Sequence, residues 1–83
     1  MKHIVLLGDS IFDNSSYVNS GELDVPNQLR SLVAYRSRVT NLAVDGNKII
    51  HVKNQLNNLP SDTTNLFVSI GGNDGLGHLS IFN

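Results

Sequence analysis

The sequence predicts an α/β domain: a parallel β-sheet with helices over its faces. Three observations predict it. Short aliphatic runs alternate with stretches of helical periodicity; the resulting order is strand, helix, strand, helix, strand; and each strand stops at a cluster rich in Gly, Asp and Asn. Such alternation implies right-handed crossovers that lay helices against the sheet.

The first strand is the continuous run Ile4 to Leu7, bounded by Gly8-Asp9-Ser10, the pattern of a strand buried on both faces. After a polar stretch Asp24 caps a helix with Pro26 in its first turn, and Val25, Leu29, Leu32 and Val33 share one face. Val39 to Val44 reads as the second strand, β-branched at both ends despite the polar Thr40 and Asn41, and it stops at Asp45-Gly46-Asn47. From Lys48 the stripe Ile49, Val52, Leu56, Leu59 returns at helical spacing and ends before Pro60. Leu66 to Ile70 is the third strand, stopped by Gly71-Gly72-Asn73-Asp74, and Leu76, Leu79 and Phe82 read as a third helix just begun. A doubly wound sheet takes about five strands. The 83 residues, with three, are therefore expected to be the N-terminal part of one domain.

Composition narrows the function. With 40% apolar and 16% charged residues the chain is ordinary for a globular protein, and a net charge of −1 with scattered Lys and Arg offers no basic stripe for nucleic acid. No cysteine is present, which excludes disulfides and thiolate metal sites. The N-terminal apolar run breaks at Gly8-Asp9 and is far shorter than a signal-peptide core or a spanning helix, so no membrane insertion is expected and a cytoplasmic location is the default.

Ligands of open parallel sheets lie outside the carboxyl ends of the strands, where all three polar clusters must fall. Each cluster alone reads as turn chemistry, with Gly supplying positive φ and Asp, Asn or Ser bonding to nearby amides. Together they bring to one edge a hydroxyl, a glycine whose amide a substrate approaches closely and a side-chain amide donor, which are parts that acyl transfer requires. Two other readings use the same edge. Asp9, Asp45 and Asp74 end three neighbouring strands and could collect Mg²⁺ for phosphoryl chemistry, although no phosphate loop is present. The GGNDGLG segment could form an anion-binding nest in a non-catalytic module, but no G-x-G-x-x-G follows the first strand.

Leu7-Gly8-Asp9-Ser10 resembles the first block of the GDSL (SGNH) ester hydrolases, and Ile11-Phe12-Asp13-Asn14 with Tyr17 is similar to one bacterial subgroup. Asn41-Leu42-Ala43-Val44-Asp45-Gly46 resembles the second block and Gly71-Gly72-Asn73-Asp74 the third. The resemblance implies a flavodoxin-like, three-layer α/β/α fold that hydrolyses carboxylic esters, sometimes thioesters or acetylated sugars, through an acyl-enzyme and without a cofactor. By that resemblance Ser10 is the nucleophile, and the Ser10 amide, the Gly46 amide and the Asn73 side chain are the oxyanion donors. Asp9 and Asp74 are assigned to holding their turns. In the flavodoxin-like order the first strand lies between the other two, so the third presents an unpaired apolar edge, and the isolated 83 residues are expected to be partly unfolded, self-associated or paired with another chain.

One departure stands out. The family's acid and base come from an Asp-x-x-His block, and the third residue after each Asp here is Phe12, Ser16, Asn27, Lys48, Asn65 or Gly77. Of the three histidines, His3 precedes the first strand at the sheet end opposite the site, His51 lies off its helix's apolar stripe and reads as solvated, and His78 alone is close in sequence to a site loop. The 83 residues by themselves are therefore expected to have little or no turnover.

Overall fold

A computed structural model of the chain describes residues 2–33 and 35–71. The Gly72–Asp74 part of the third cluster, His78 and the helix expected from Leu76 lie outside the described residues. The elements are β1 (His3–Gly8), a 3₁₀ turn at Ser15–Tyr17, α1 (Val25–Leu32), β2 (Arg38–Asn41), a 3₁₀ turn at Ile49–His51, α2 (Val52–Leu56) and β3 (Asn65–Ser69). The three strands form one parallel sheet in the order β2-β1-β3, the α/β arrangement expected from the alternation.

That order fixes where the helices go. The step from β1 to β2 crosses the sheet one way and the step from β2 to β3 crosses it the other way, so two right-handed crossovers place α1 and α2 on opposite faces. On the α1 face Ile4, Leu6 and Val39 form a cluster against which Phe12, Leu29 and Val33 pack. Val5 and Leu7 alternate to the other face and are fully buried. Each such side chain removed from water contributes about 1.5–3 kcal/mol, which makes β1, buried at every position, the axis of the fold.

The helix start is local chemistry: the Asp24 carboxylate accepts the Asn27 N–H at 3.1 Å, with Pro26 in the first turn. Three expectations need correction. β1 begins at His3, which belongs to the strand rather than preceding it. β2 ends at Asn41 and not Val44, because the Leu42 and Ala43 N–H groups both turn onto the Leu6 carbonyl (2.9 and 3.1 Å) and the Asn41 side chain accepts from Ala43 N–H. The second helical segment does not bury its apolar stripe: Ile49 and Leu56 are exposed, and Gln55 is the residue turned inside.

Among the described residues β3 is an edge strand, and its Leu66, Phe67 and Val68 are all exposed. Between it and α1 runs an apolar groove of about 330 Å³, floored by Leu6 and Phe67 and walled by Phe12 and Leu29.

Candidate active site

Ser10 follows β1 by two residues, in a turn fastened on several sides. The Asp9 N–H donates to the Ser69 carbonyl of β3 at 3.1 Å, and the Asp9 carbonyl accepts from Phe12 and Asp13. The Asp9 carboxylate, only 3% exposed, accepts the Ile11 N–H at 3.2 Å, the turn-holding role expected of it. Ser10 itself is half-buried, and among the described residues nothing hydrogen-bonds to its hydroxyl or amide.

Gly8 makes this turn's position possible. Its φ is +132°, and a Cβ there would lie 1.8 Å from the Ser69 carbonyl oxygen, so only glycine lets β1 run this close to β3.

Gly46 occupies the third position of a turn closed by the Asn47 N–H on the Val44 carbonyl, where φ is +88°. Space around it is open, with no neighbouring atom within 4 Å of where a Cβ would stand, and the residue is exposed. The structure brings this turn against the Ser10 turn. The Val44 N–H donates to the Gly8 carbonyl at 3.1 Å, the Asp45 N–H to the Asp13 carboxylate at 2.8 Å, and the Tyr17 hydroxyl to both Asp45 oxygens at 3.0 and 2.9 Å. The bond to Asp45, and then that carboxylate's negative charge, hold the Tyr17 pKa above the usual phenol range. Asn73, the third candidate, lies outside the described residues.

The Asp9 and Asp45 carboxylates, considered above as Mg²⁺ ligands, are each engaged with a different partner in the protein. Asp74 lies outside the described residues.

The histidines separate clearly. His3 opens β1, and seven residues at ~3.3 Å each put it roughly 20 Å from Ser10. It is buried at 5% exposure, with Nδ1 on the Asp62 carboxylate at 2.7 Å and Nε2 at 2.6 Å from the Thr40 hydroxyl. Since a carboxylate only accepts, Nδ1 carries the hydrogen. Arg38 pairs with the other Asp62 oxygen. Hydroxyl, imidazole and carboxylate lie in relay order here, yet the imidazole is enclosed and its three partners close the far end of the sheet. His51 is half-buried rather than solvated, and its Nδ1 accepts the Lys48 N–H at 2.7 Å.

Gln55 is the polar residue that sequence reasoning missed. Its Oε1 accepts the Gly8 N–H and its Nε2 donates to the Gly8 carbonyl, both at 2.7 Å, with the side chain buried. The only signal was its place between Val52 and Leu59, within the span of the apolar stripe.

Compared with protein-family models the chain matches none, and it has no match among curated proteins.

Proposed function

We propose that these residues carry the nucleophile and oxyanion donors of a GDSL-type serine hydrolase acting on small-molecule carboxylic esters. The observation that carries the reading is the pair of stitched turns: the Gly46 turn is held against the Ser10 turn through Val44, Asp45 and Tyr17, while Gly46 is exposed and the half-buried Ser10 hydroxyl has no partner among the described residues. In the proposed reaction the Ser10 Oγ attacks the ester carbonyl carbon as its proton passes to a base. The carbonyl oxygen takes up negative charge facing the Ser10 and Gly46 amides and the Asn73 side chain. Collapse expels the alcohol, and water then hydrolyses the acyl-enzyme.

A serine hydroxyl needs a base within hydrogen-bond reach, itself held by a third group. With no Asp-x-x-His among the 83 residues, the reading requires that block from elsewhere in the domain. Pairing of two β3 edges between copies is a further expectation, checked by sedimentation of the purified chain.

The experiment is hydrolysis of p-nitrophenyl esters by the full-length protein. Ser10→Ala is expected to abolish turnover, and Asn73→Ala to lower kcat about a hundredfold or more with a smaller effect on KM. Undiminished hydrolysis by Ser10→Ala removes Ser10 from the mechanism; an unchanged rate in Asn73→Ala reduces Asn73 to a turn residue.

A further inference from the structure

We infer that Gln55 is a positioning residue for Ser10: its carboxamide replaces the missing neighbour strand at Gly8 and so sets the direction in which β1 delivers the nucleophile. The inference rests on the serine-hydrolase reading above.

The pairing of β2 with β1 ends at Leu6 opposite Asn41, where the chain turns off onto the Leu6 carbonyl. On its other side β1 remains paired two residues longer, to Gly8 opposite Ser69. Gly8 therefore has a strand on one flank only, inside the protein. A buried N–H left without an acceptor is destabilising, because it gives up its bond to water and gains none in return. Gln55 accepts the Gly8 N–H, which has no other partner among the described residues, and adds its own N–H to that of Val44 on the Gly8 carbonyl, since a primary amide presents an acceptor and donors together. It comes from α2, across 47 residues of sequence.

The substitution has a consequence for the site. Had β2 continued alongside Gly8, its backbone would occupy the flank from which the Val44 N–H now reaches the Gly8 carbonyl and brings the Gly46 turn in. With Gln55 in that place, β2 is free to leave and build the donor turn, and the Gly8 peptide is still clamped between α2 and β3. Ser10 lies two residues beyond this clamp. Slight rotation of the Gly8 peptide moves the Ser10 hydroxyl relative to its donors, and a displacement on the order of 1 Å at a reacting group costs up to about a hundredfold in rate.

The test uses the full-length protein, with Gln55→Met, which keeps the side chain's length and loses both bonds, and Gln55→Glu, which keeps its shape. Hydrolysis of a p-nitrophenyl ester is measured across pH, with folding followed by circular dichroism and the Gly8 amide by hydrogen exchange. The expected result for Gln55→Met is a folded protein whose kcat is about tenfold or more lower, whose KM changes by less than about twofold, and whose Gly8 amide exchanges faster. Gln55→Glu is expected to be impaired at neutral pH, where a carboxylate faces the Gly8 carbonyl. It recovers as pH falls and the protonated acid regains its donor, a trend relative to the parent that loss of packing alone does not produce. If Gln55→Met fails to fold, this recovery decides. Ser10-dependent turnover with parental kcat in folded Gln55→Met, or a Gln55→Glu profile parallel to the parent's, overturns this inference alone. Turnover that is equal in Ser10→Ala overturns the serine reading and this inference with it.

Discussion

The two ends of β1 are built from similar materials and finished differently. At the amino end His3 is buried among Asp62, Thr40 and Arg38, and the chain around it is closed: the His3 N–H reaches the Thr64 hydroxyl, the Thr64 N–H reaches the His3 carbonyl, and the Arg38 N–H reaches that of Lys2. At the carboxyl end Asp9 and Gln55 are equally buried and equally bonded, yet they serve neighbours that stay open, Ser10 and Gly46. Buried polar groups must be paired wherever they occur. A closed network holds strands together. On the proposed reading, a network that satisfies the scaffold and leaves a hydroxyl and an exposed amide without partners among the described residues holds a site together.

The largest effect that would break this comparison comes from the glycines of the carboxyl end. Gly8→Ala meets both the Ser69 carbonyl and an unfavourable φ, so a loss of about 3–5 kcal/mol is expected. Gly46→Ala meets only the unfavourable φ, and about 1 kcal/mol is expected. Urea unfolding of the two variants checks the difference; equal losses would mean that the close approach of β1 to β3 is not what Gly8 is for.

A smaller effect sharpens the other end. The hydrogen bond from His3, with the nearby Arg38 charge, holds the Asp62 carboxyl below the usual carboxylate range. A lowered folded value means that this contribution is full above the unfolded value of about 3.9 and is lost as pH falls through the folded one. Thermal unfolding of Asp62→Asn should therefore show lower stability than the parent near neutral pH and a gap that narrows on the acid side. A gap independent of pH would mean that the charged clasp does not hold this end. Smaller still is Tyr17→Phe, which frees the exposed Asp45 carboxylate: a modest rise in KM or fall in kcat is expected with folding intact, and no change in either would show that the Gly46 turn holds its place without Tyr17.

Much of the fold was legible in the sequence because the signals are local. The aliphatic run at Ile4 to Leu7, the Asp24 and Pro26 helix start and the glycine clusters each report conditions within a few residues, and the parallel sheet follows from their order. What was not legible depended on contacts distant in sequence. Ile49 and Leu56 carry the helical spacing of a buried stripe, but the place that α2 covers is the Gly8 N–H, which no strand pairs, and that selects a carboxamide over a hydrocarbon. The end of β2 does carry a local signal: Asn41, a polar interruption in the run Val39 to Val44, accepts from Ala43 N–H and helps to turn the chain out of the sheet. His3, a polar residue, breaks the aliphatic run and so places itself outside the strand by local pattern, whereas Asp62 and Thr40, far along the chain, are what allow it to be buried.

The claim that the carboxyl end of β1 is the reactive one is tested most directly by covalent labelling. A fluorophosphonate probe is applied to the 83-residue chain and to a chain extended by an Asp-x-x-His block, and the modified residue is located by peptide mass spectrometry. A single adduct on Ser10 is expected in the extended chain, little or none in the 83 residues alone, and none in Ser10→Ala. An adduct on another residue, or labelling that persists undiminished in Ser10→Ala, would contradict the claim.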